Sequence, residues 1–482
     1  MEESTRILIS SGIPGFDEIL GGGLVKGWSY LLKGAPGSGK TVFGLQFLRE
    51  GVRNGEKVVY ISFDESKEEV QMQAELFGWN INEPNFYFVD KVEKMDILTS
   101  DLMFVDFDSI SEIHDIIESV VSVRELENAS RVFIDGIGIL RDASRDPAIY
   151  RRIMASIIRF LNSMGITSII AEEYTGDIGK EIISYLTSGE FLLERVVRGD
   201  GEVLRAINVL KYRGGKAWLG RHYLDITDNG IIVYPIIPVT GISDGERSLI
   251  STGNKEFDSM LGGGIYEGSS VLITGKSGVG KTNMSLQILV ANDRRGKTGI
   301  LYTFEESEEE IRERIENIFN YKPSRLIIKP LSPYGMNLGR FYRMVVEDVE
   351  NYAPAVVVID PLNALVRMSI SFEELRRAMD LLESYISSKK TISISIIEVG
   401  EAVGDFYLTG AGISYFADYM VVGRYMELHG EIQKVIAVMK NRFGDHERTL
   451  RVLEIKEGEG IRIGEPLKRY TGLMGASLEK ID

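Results

Sequence analysis

A glycine-rich octapeptide occurs twice in this chain, and that repetition constrains the fold more than any other feature. GAPGSGKT runs from Gly34 to Thr41 and GKSGVGKT from Gly275 to Thr282, a displacement of 241 positions in a sequence of 482. In this pattern glycines let backbone N–H groups close around phosphate oxygens, a lysine reaches the terminal phosphates, and a threonine hydroxyl meets Mg²⁺. The phosphate-binding positions are therefore Gly34, Gly37, Ser38, Gly39, Lys40 and Thr41 in the first loop. In the second they are Gly275, Gly278, Val279, Gly280, Lys281 and Thr282. The apolar runs before the loops, 28–33 and 269–274, read as buried strands. The stretches after them, 42–52 and 283–290, read as helices whose N-terminal dipole favours an anion.

The duplication extends beyond the loops. ISSGIPGFDEILGGGLVKG from Ile9 is echoed at the same displacement by ISTGNKEFDSMLGGGIYEG from Ile250. A period this long excludes a solenoid and indicates two copies of one domain. We divide the chain into a first domain at 1–238, a linker at 239–248 and a second domain at 249–482. A chain of 482 residues, 44% of them apolar, is too long for one core and suits this division.

Within each copy, apolar strands alternate with helical segments, which predicts an α/β fold: a mostly parallel sheet with helices on both faces. The strands expected in the first copy are 30–33, 58–63, 131–135 and 166–171, and in the second 271–274, 300–304, 356–360 and 392–397. Late in each copy the rhythm becomes strand after strand, as at 191–198, 206–212 and 222–226, and hairpins there extend the sheet with antiparallel strands.

Composition narrows the function. A net charge of −16 argues against a surface given over to nucleic acid. Without cysteine there are no disulfides or thiolate metal sites, and four scattered histidines have no metal-ligand spacing. Mg²⁺ brought in with a nucleotide is the metal expected. No apolar run spans a bilayer and MEESTRIL is not a signal peptide, so a cytoplasmic location is expected.

Hydrolysis needs more than a phosphate loop. RVFIDG ends a buried strand in Asp135 and VVVIDP ends another in Asp360, the carboxylates expected to hold the Mg²⁺ shell. An Asp at a strand end often serves only as a helix cap, but here it follows a phosphate loop in both copies. ISFDES supplies Asp64 and Glu65, and YTFEES supplies Glu305 and Glu306. Ser66 with Glu69, and Ser307 with Glu310, make capping boxes that account for one acid near each helix start. Capping does not account for two adjacent acids at a strand's carboxyl end, where open α/β sheets bind ligands. A general-base or water-orienting role is the expectation for each pair.

With K-x-R on a late strand of each copy, Lys211 and Arg213 in LKYRG and Lys440 and Arg442 in MKNRF, this duplicated set resembles the KaiC family, double-domain ATPases of the RecA-like superfamily. The similarity covers nearly the whole chain. It implies two tandem RecA-like domains, ATP and Mg²⁺ as cofactors, and self-assembly into a hexameric double ring with ATP between neighbouring subunits. It implies that Lys40, Thr41 and Asp135 act with Asp64 and Glu65 in one ring, and Lys281, Thr282 and Asp360 with Glu305 and Glu306 in the other. The K-x-R pairs match cations that reach the neighbour's γ-phosphate.

Three departures qualify the match. Asp64 stands where the family has Glu, one methylene shorter, so the weight in the first copy falls on Glu65. The stretch matching the family's phosphorylated Ser-Thr pair, LTGAGISYFADYM, offers Ser414 followed by Tyr415, with Thr409 upstream. Autokinase activity is thus an expectation limited to those three hydroxyls. The C-terminal segment is short for a clock-type tail, so no circadian role or clock partner is expected. The reading is an ATP-hydrolysing switch that regulates unidentified partner proteins. The alternatives are a RecA- or RadA-type DNA-dependent ATPase, which the acidic balance disfavours, and an ATP-assembled scaffold with little turnover, which the complete acid sets disfavour.

Overall fold

The protein is represented by a computed structural model that describes residues 6–91, 123–143, 147–174, 176, 182–198, 201–238, 246–399, 417–428, 430–467, 470–471 and 479–480. The chain forms two compact units, Met1–Ile237 and Pro238–Asp482, and each builds its own nine-stranded sheet.

In the first unit the strands are β1 (Ser29–Gly34), β2 (Val58–Ser62), β3 (Phe86–Asp90), β4 (Arg131–Asp135), β5 (Thr167–Glu173), β6 (Gly189–Val197), β7 (Val203–Tyr212), β8 (Gly220–Thr227) and β9 (Gly230–Tyr234). Their order across the sheet is β3-β2-β4-β5-β1-β6-β7-β8-β9. β1 to β6 pair in parallel, and β7 to β9 add antiparallel neighbours. The second unit repeats this with β10 (Ser270–Gly275), β11 (Gly299–Thr303), β12 (Leu326–Pro330), β13 (Val356–Asp360), β14 (Ile392–Glu398), β15 (Tyr419–Leu428), β16 (Glu431–Asn441), β17 (Arg451–Lys456) and β18 (Gly460–Pro466), in the order β12-β11-β13-β14-β10-β15-β16-β17-β18. The chain therefore consists of two tandem α/β units of one topology.

The central strands are buried along their length, VVYIS in β2 and VVVID in β13 among them, because helices cover both faces of a parallel sheet. On one face of the first unit, helix α1 (Lys40–Arg53) contributes Phe43, Leu45, Phe47 and Leu48 to the core; α2 (Lys67–Leu76) adds Val70 and Ala74. On the other, α3 (Pro147–Ser163) packs Ile153, Met154, Ile157, Ile158 and Leu161 against the strands. A short helix, α4 (Ile182–Leu186), leads into β6. The counterparts in the second unit are α5 (Lys281–Arg294), α6 (Glu308–Phe319) and α7 (Phe372–Ser388).

Both capping boxes are formed, Ser66 with Glu69 and Ser307 with Glu310. The edge strands β3 and β12 were not among those expected from the sequence. Only Val89 in one and Leu326 and Ile328 in the other are buried, so FYFVD and LIIKP lack the unbroken burial of the central runs.

Candidate functional site

The glycine loops sit where β1 and β10 hand over to α1 and α5, at the carboxyl edge of each sheet. Gly39 and Gly280 hold φ of 103° and 108° as the helix N-caps, a left-handed conformation open to glycine at little cost. Neither helix has a side-chain cap there, so its first N–H groups are available to an anion. The Lys40 ammonium donates to the carbonyls of Gly34 at 2.8 Å and Ala35 at 3.3 Å, and Lys281 to Lys276 at 2.8 Å. The loops differ at three positions, and one of them changes the buried side. Ser38 has a buried hydroxyl without a hydrogen-bond partner, whereas its counterpart Val279 packs against Gly423.

Each threonine meets its expected carboxylate. Thr41 Oγ1 donates to Asp135 Oδ2 at 3.0 Å and Thr282 Oγ1 to Asp360 Oδ2 at 2.7 Å. Burial pushes Asp135 above the usual carboxylate range despite hydrogen bonds from Tyr60 and Thr41. Asp360 is pushed up to about 6 by burial, against the Thr282 hydrogen bond and with Glu306 and Glu305 adding to the rise. A hard divalent cation on the threonine oxygen and this carboxylate would relieve both carboxylates of uncompensated charge, so the donor set fits Mg²⁺.

The acid pairs divide between two environments. A Cβ added to Gly136, immediately after Asp135, would lie 2.3 Å from Asp64 Cγ, so the Asp64 carboxylate rests on the backbone beside the Thr41–Asp135 contact. Loss of solvent there, then Asp135, raises Asp64. Glu65 instead accepts a 2.9 Å hydrogen bond from Gln73 on α2. Glu306 likewise turns to the following helix, where Arg314 pairs with it at 2.6 Å. The more exposed Glu305 contributes to the field at Lys281. In both units the second acid is engaged by a residue of the following helix, Gln73 or Arg314.

The K-x-R residues lie at the ends of β7 and β16. Each strand bulges just before the lysine, with Lys211 opposite Glu190 but Val209 opposite Phe191, and Lys440 opposite Met420 but Val438 opposite Val421. A bulge re-aims the side chains that follow it. The Lys211 ammonium donates to the carbonyls of Ser184 and, at 2.6 Å, Thr187, where it complements the C-terminal end of α4. Burial and neighbouring Arg213 lower Lys211; burial and Arg442 lower Lys440. Both arginines are exposed.

Three further residues belong to the site. Tyr60, in the middle of β2, donates to Asp135 Oδ2 at 2.8 Å; its signal was an aromatic hydroxyl flanked by aliphatic residues, and Leu301 replaces it in the second copy. Glu173 and Glu398 end β5 and β14 opposite Gly34 and Gly275. Burial lowers both loop lysines; after it, Asp135 and Glu173 act most on Lys40 and Glu398 acts most on Lys281, each partly restoring the ammonium. They too are a repeated pair, but displaced by 225 positions because the second copy is shorter between its acid pair and its Asp-ended strand. Thr409, Ser414 and Tyr415 lie outside the described residues.

Two phosphate loops, each completed by a threonine–aspartate contact and flanked by acids at the carboxyl edge of a parallel sheet, define a tandem phosphate-loop ATPase. The family model described as "ATPase: KaiC" matches residues 9–237 and again 250–468, and the chain belongs to that family. It is similar to "Circadian clock protein KaiC3" of Synechocystis sp., with 28% identity over 97% of this chain and 94% of that one. To "Circadian clock protein KaiC2" of the same organism it is 29% identical over 92% of this chain and 78% of the relative. To "Circadian clock oscillator protein KaiC" of Picosynechococcus sp. it is 26% identical over 97% and 92%. Among the described residues, no helix is long and apolar enough to cross a membrane.

Proposed function

We propose that the chain is a Mg²⁺-ATP-hydrolysing switch assembled as a hexamer, with nucleotide bound at subunit boundaries in both copies and with partner proteins that respond to its nucleotide state. The observation that carries this reading is the repeated threonine–aspartate hydrogen bond beneath a glycine loop, 3.0 Å in one unit and 2.7 Å in the other. Backbone N–H groups of the loops and Lys40 or Lys281 bind the phosphates, while Thr41 with Asp135 and Thr282 with Asp360 hold Mg²⁺. The metal, when bound, neutralises charge on the β- and γ-phosphate oxygens.

Asp64 and Glu305 orient and deprotonate the attacking water, and Glu65 and Glu306 fix the following helix and the field around them. Arg213 and Arg442, each with its neighbouring Lys211 or Lys440, serve the γ-phosphate of the next subunit. The first copy chiefly assembles the ring. The second copy also phosphorylates its own chain at one of Thr409, Ser414 and Tyr415, a reading that ends if phosphopeptide mapping after incubation with ATP finds nothing between Thr409 and Tyr415.

The test is ATP turnover measured together with oligomer mass for Lys40→Ala and Lys281→Ala separately. Lys40→Ala is expected to stop ATP-dependent assembly and Lys281→Ala to leave rings that turn over ATP only in the first copy. Unchanged sedimentation of Lys40→Ala with ATP overturns the assembly assignment.

A further inference from the structure

The two copies hold their trans-acting arginines differently. Arg213 and Arg442 occupy matching places: the Arg213 N–H donates to Ser188 O, and Ser188 N–H to Ser29 O; the Arg442 N–H donates to Asp418 O, and Asp418 N–H to Ser270 O. Ser188 and Asp418 are therefore structural equivalents, and only the second copy has a carboxylate there. One oxygen of Asp418, Oδ2, accepts from the Ser270 N–H at 3.1 Å and from its hydroxyl at 3.3 Å, which ties it to the first residue of β10. The other, Oδ1, pairs with an Arg442 guanidinium nitrogen at 3.0 Å. Asp418 is largely buried, at 13% exposure, while Arg442 is 53% exposed.

We propose that Asp418 is a positioning residue that moors the Arg442 guanidinium at the second copy's subunit boundary, so that this arginine meets the neighbour's γ-phosphate already oriented. The inference rests on the reading of Arg442 as a cation acting in trans. An arginine side chain carries a large rotational entropy that must be surrendered when it docks. An exposed arginine paired to a mobile carboxylate gains little from the pair. Here the carboxylate is fixed by backbone and hydroxyl donors, and the same residue also grips Arg442 through its main chain, so the ordering is done before the subunits meet. Arg213, with Ser188 in the equivalent place, has the main-chain contact without that carboxylate. The mooring is thus specific to the second copy.

The experiment uses the full chain with first-copy chemistry silenced by Asp64→Asn and Glu65→Gln, leaving its nucleotide binding intact. Asp418→Ser, which copies the first unit, and Asp418→Asn, which keeps an acceptor for Ser270, are each measured for turnover and for second-site ATP affinity. Both are expected to lower turnover at saturating Mg²⁺-ATP by about fivefold with affinity unchanged. Each is then mixed with a Lys281→Ala chain, which contributes a moored Arg442 but hydrolyses nothing in its own second copy. In mixed rings verified by native mass spectrometry, turnover per competent site is expected to recover, because the defect lies with the donor of the arginine.

A structural fault in the variant's own β10 would not recover in such rings, and that outcome, or unchanged turnover in both variants, overturns the mooring. Arg442→Ala in the same mixture separates the two levels. Recovery of Arg442→Ala without recovery of the Asp418 variants overturns the mooring alone. Failure of Arg442→Ala to recover overturns action in trans and the mooring with it.

Discussion

Thr282 and Asp360 lie 78 positions apart, and the threonine hydroxyl donates a 2.7 Å hydrogen bond to the aspartate Oδ2. The contact joins the start of a helix to the end of a strand, and it brings the two oxygens proposed for Mg²⁺ to one point. Removing either, by Thr282→Ala or Asp360→Asn, is expected to shift the Mg²⁺ dependence of second-copy turnover to about 10- to 100-fold higher concentration. A metal titration at saturating ATP reads this directly. An unmoved titration curve in both variants would take these residues out of the metal site.

The acid pairs make a prediction that separates their members. Asp64→Asn combined with Glu305→Gln is expected to lower single-turnover hydrolysis by about 10²- to 10⁴-fold while ATP still binds. Glu65→Gln combined with Glu306→Gln is expected to cost far less, because those carboxylates are engaged by Gln73 and Arg314. If the second combination proves the more damaging, the base is the second acid of each pair.

Tyr60 is expected to matter to the first unit alone. Its hydroxyl satisfies an Asp135 oxygen that is otherwise held by Thr41, and Tyr60→Phe leaves that buried carboxylate one donor short. The loss is expected to be about 1–3 kcal/mol of first-unit stability. Denaturant unfolding followed by unit-specific hydrogen exchange checks it, and an equal loss in the second unit would contradict the assignment.

Glu383 predicts a pH dependence confined to the second unit. It is partly buried on α7, accepts a hydrogen bond from the Ser393 hydroxyl and faces Asp418; loss of solvent around the carboxyl, with Asp418 adding to the rise, pushes it up to about 7. A carboxyl whose folded pKa lies above its unfolded value near 4.5 binds more protons in the native state between those values. Stability is therefore highest below about 4.5 as far as this group is concerned, and falls as pH rises toward 7. Glu383→Gln mimics the protonated form and should remove the dependence. It is expected to stabilise the second unit at pH 8 by at most about 3 kcal/mol and to change little at pH 4.5. Calorimetry at the two pH values tests this, and an equal effect at both would reject the buried charge as the cause.

The repeated loops, the Asp-ended strands and the alternation of strand and helix were legible in the sequence by itself, and with them the tandem α/β architecture. Each of these signals is local: a loop and the helix it starts are contiguous, and a buried parallel strand announces itself as an unbroken apolar run. What only the tertiary structure decided depends on contacts across the sheet. Tyr60 reaches Asp135 because β2 and β4 are neighbours in register, although 75 positions separate the two residues. Glu173 and Glu398 stand beside the loops because β5 and β14 pair with β1 and β10. The direction in which each member of the acid pairs turns was set by the helix packed after it. The equivalence of Asp418 and Ser188, which no spacing displays, follows from the pairing of β15 with β10 and of β6 with β1, because sequence position does not encode which strands become neighbours or in what register.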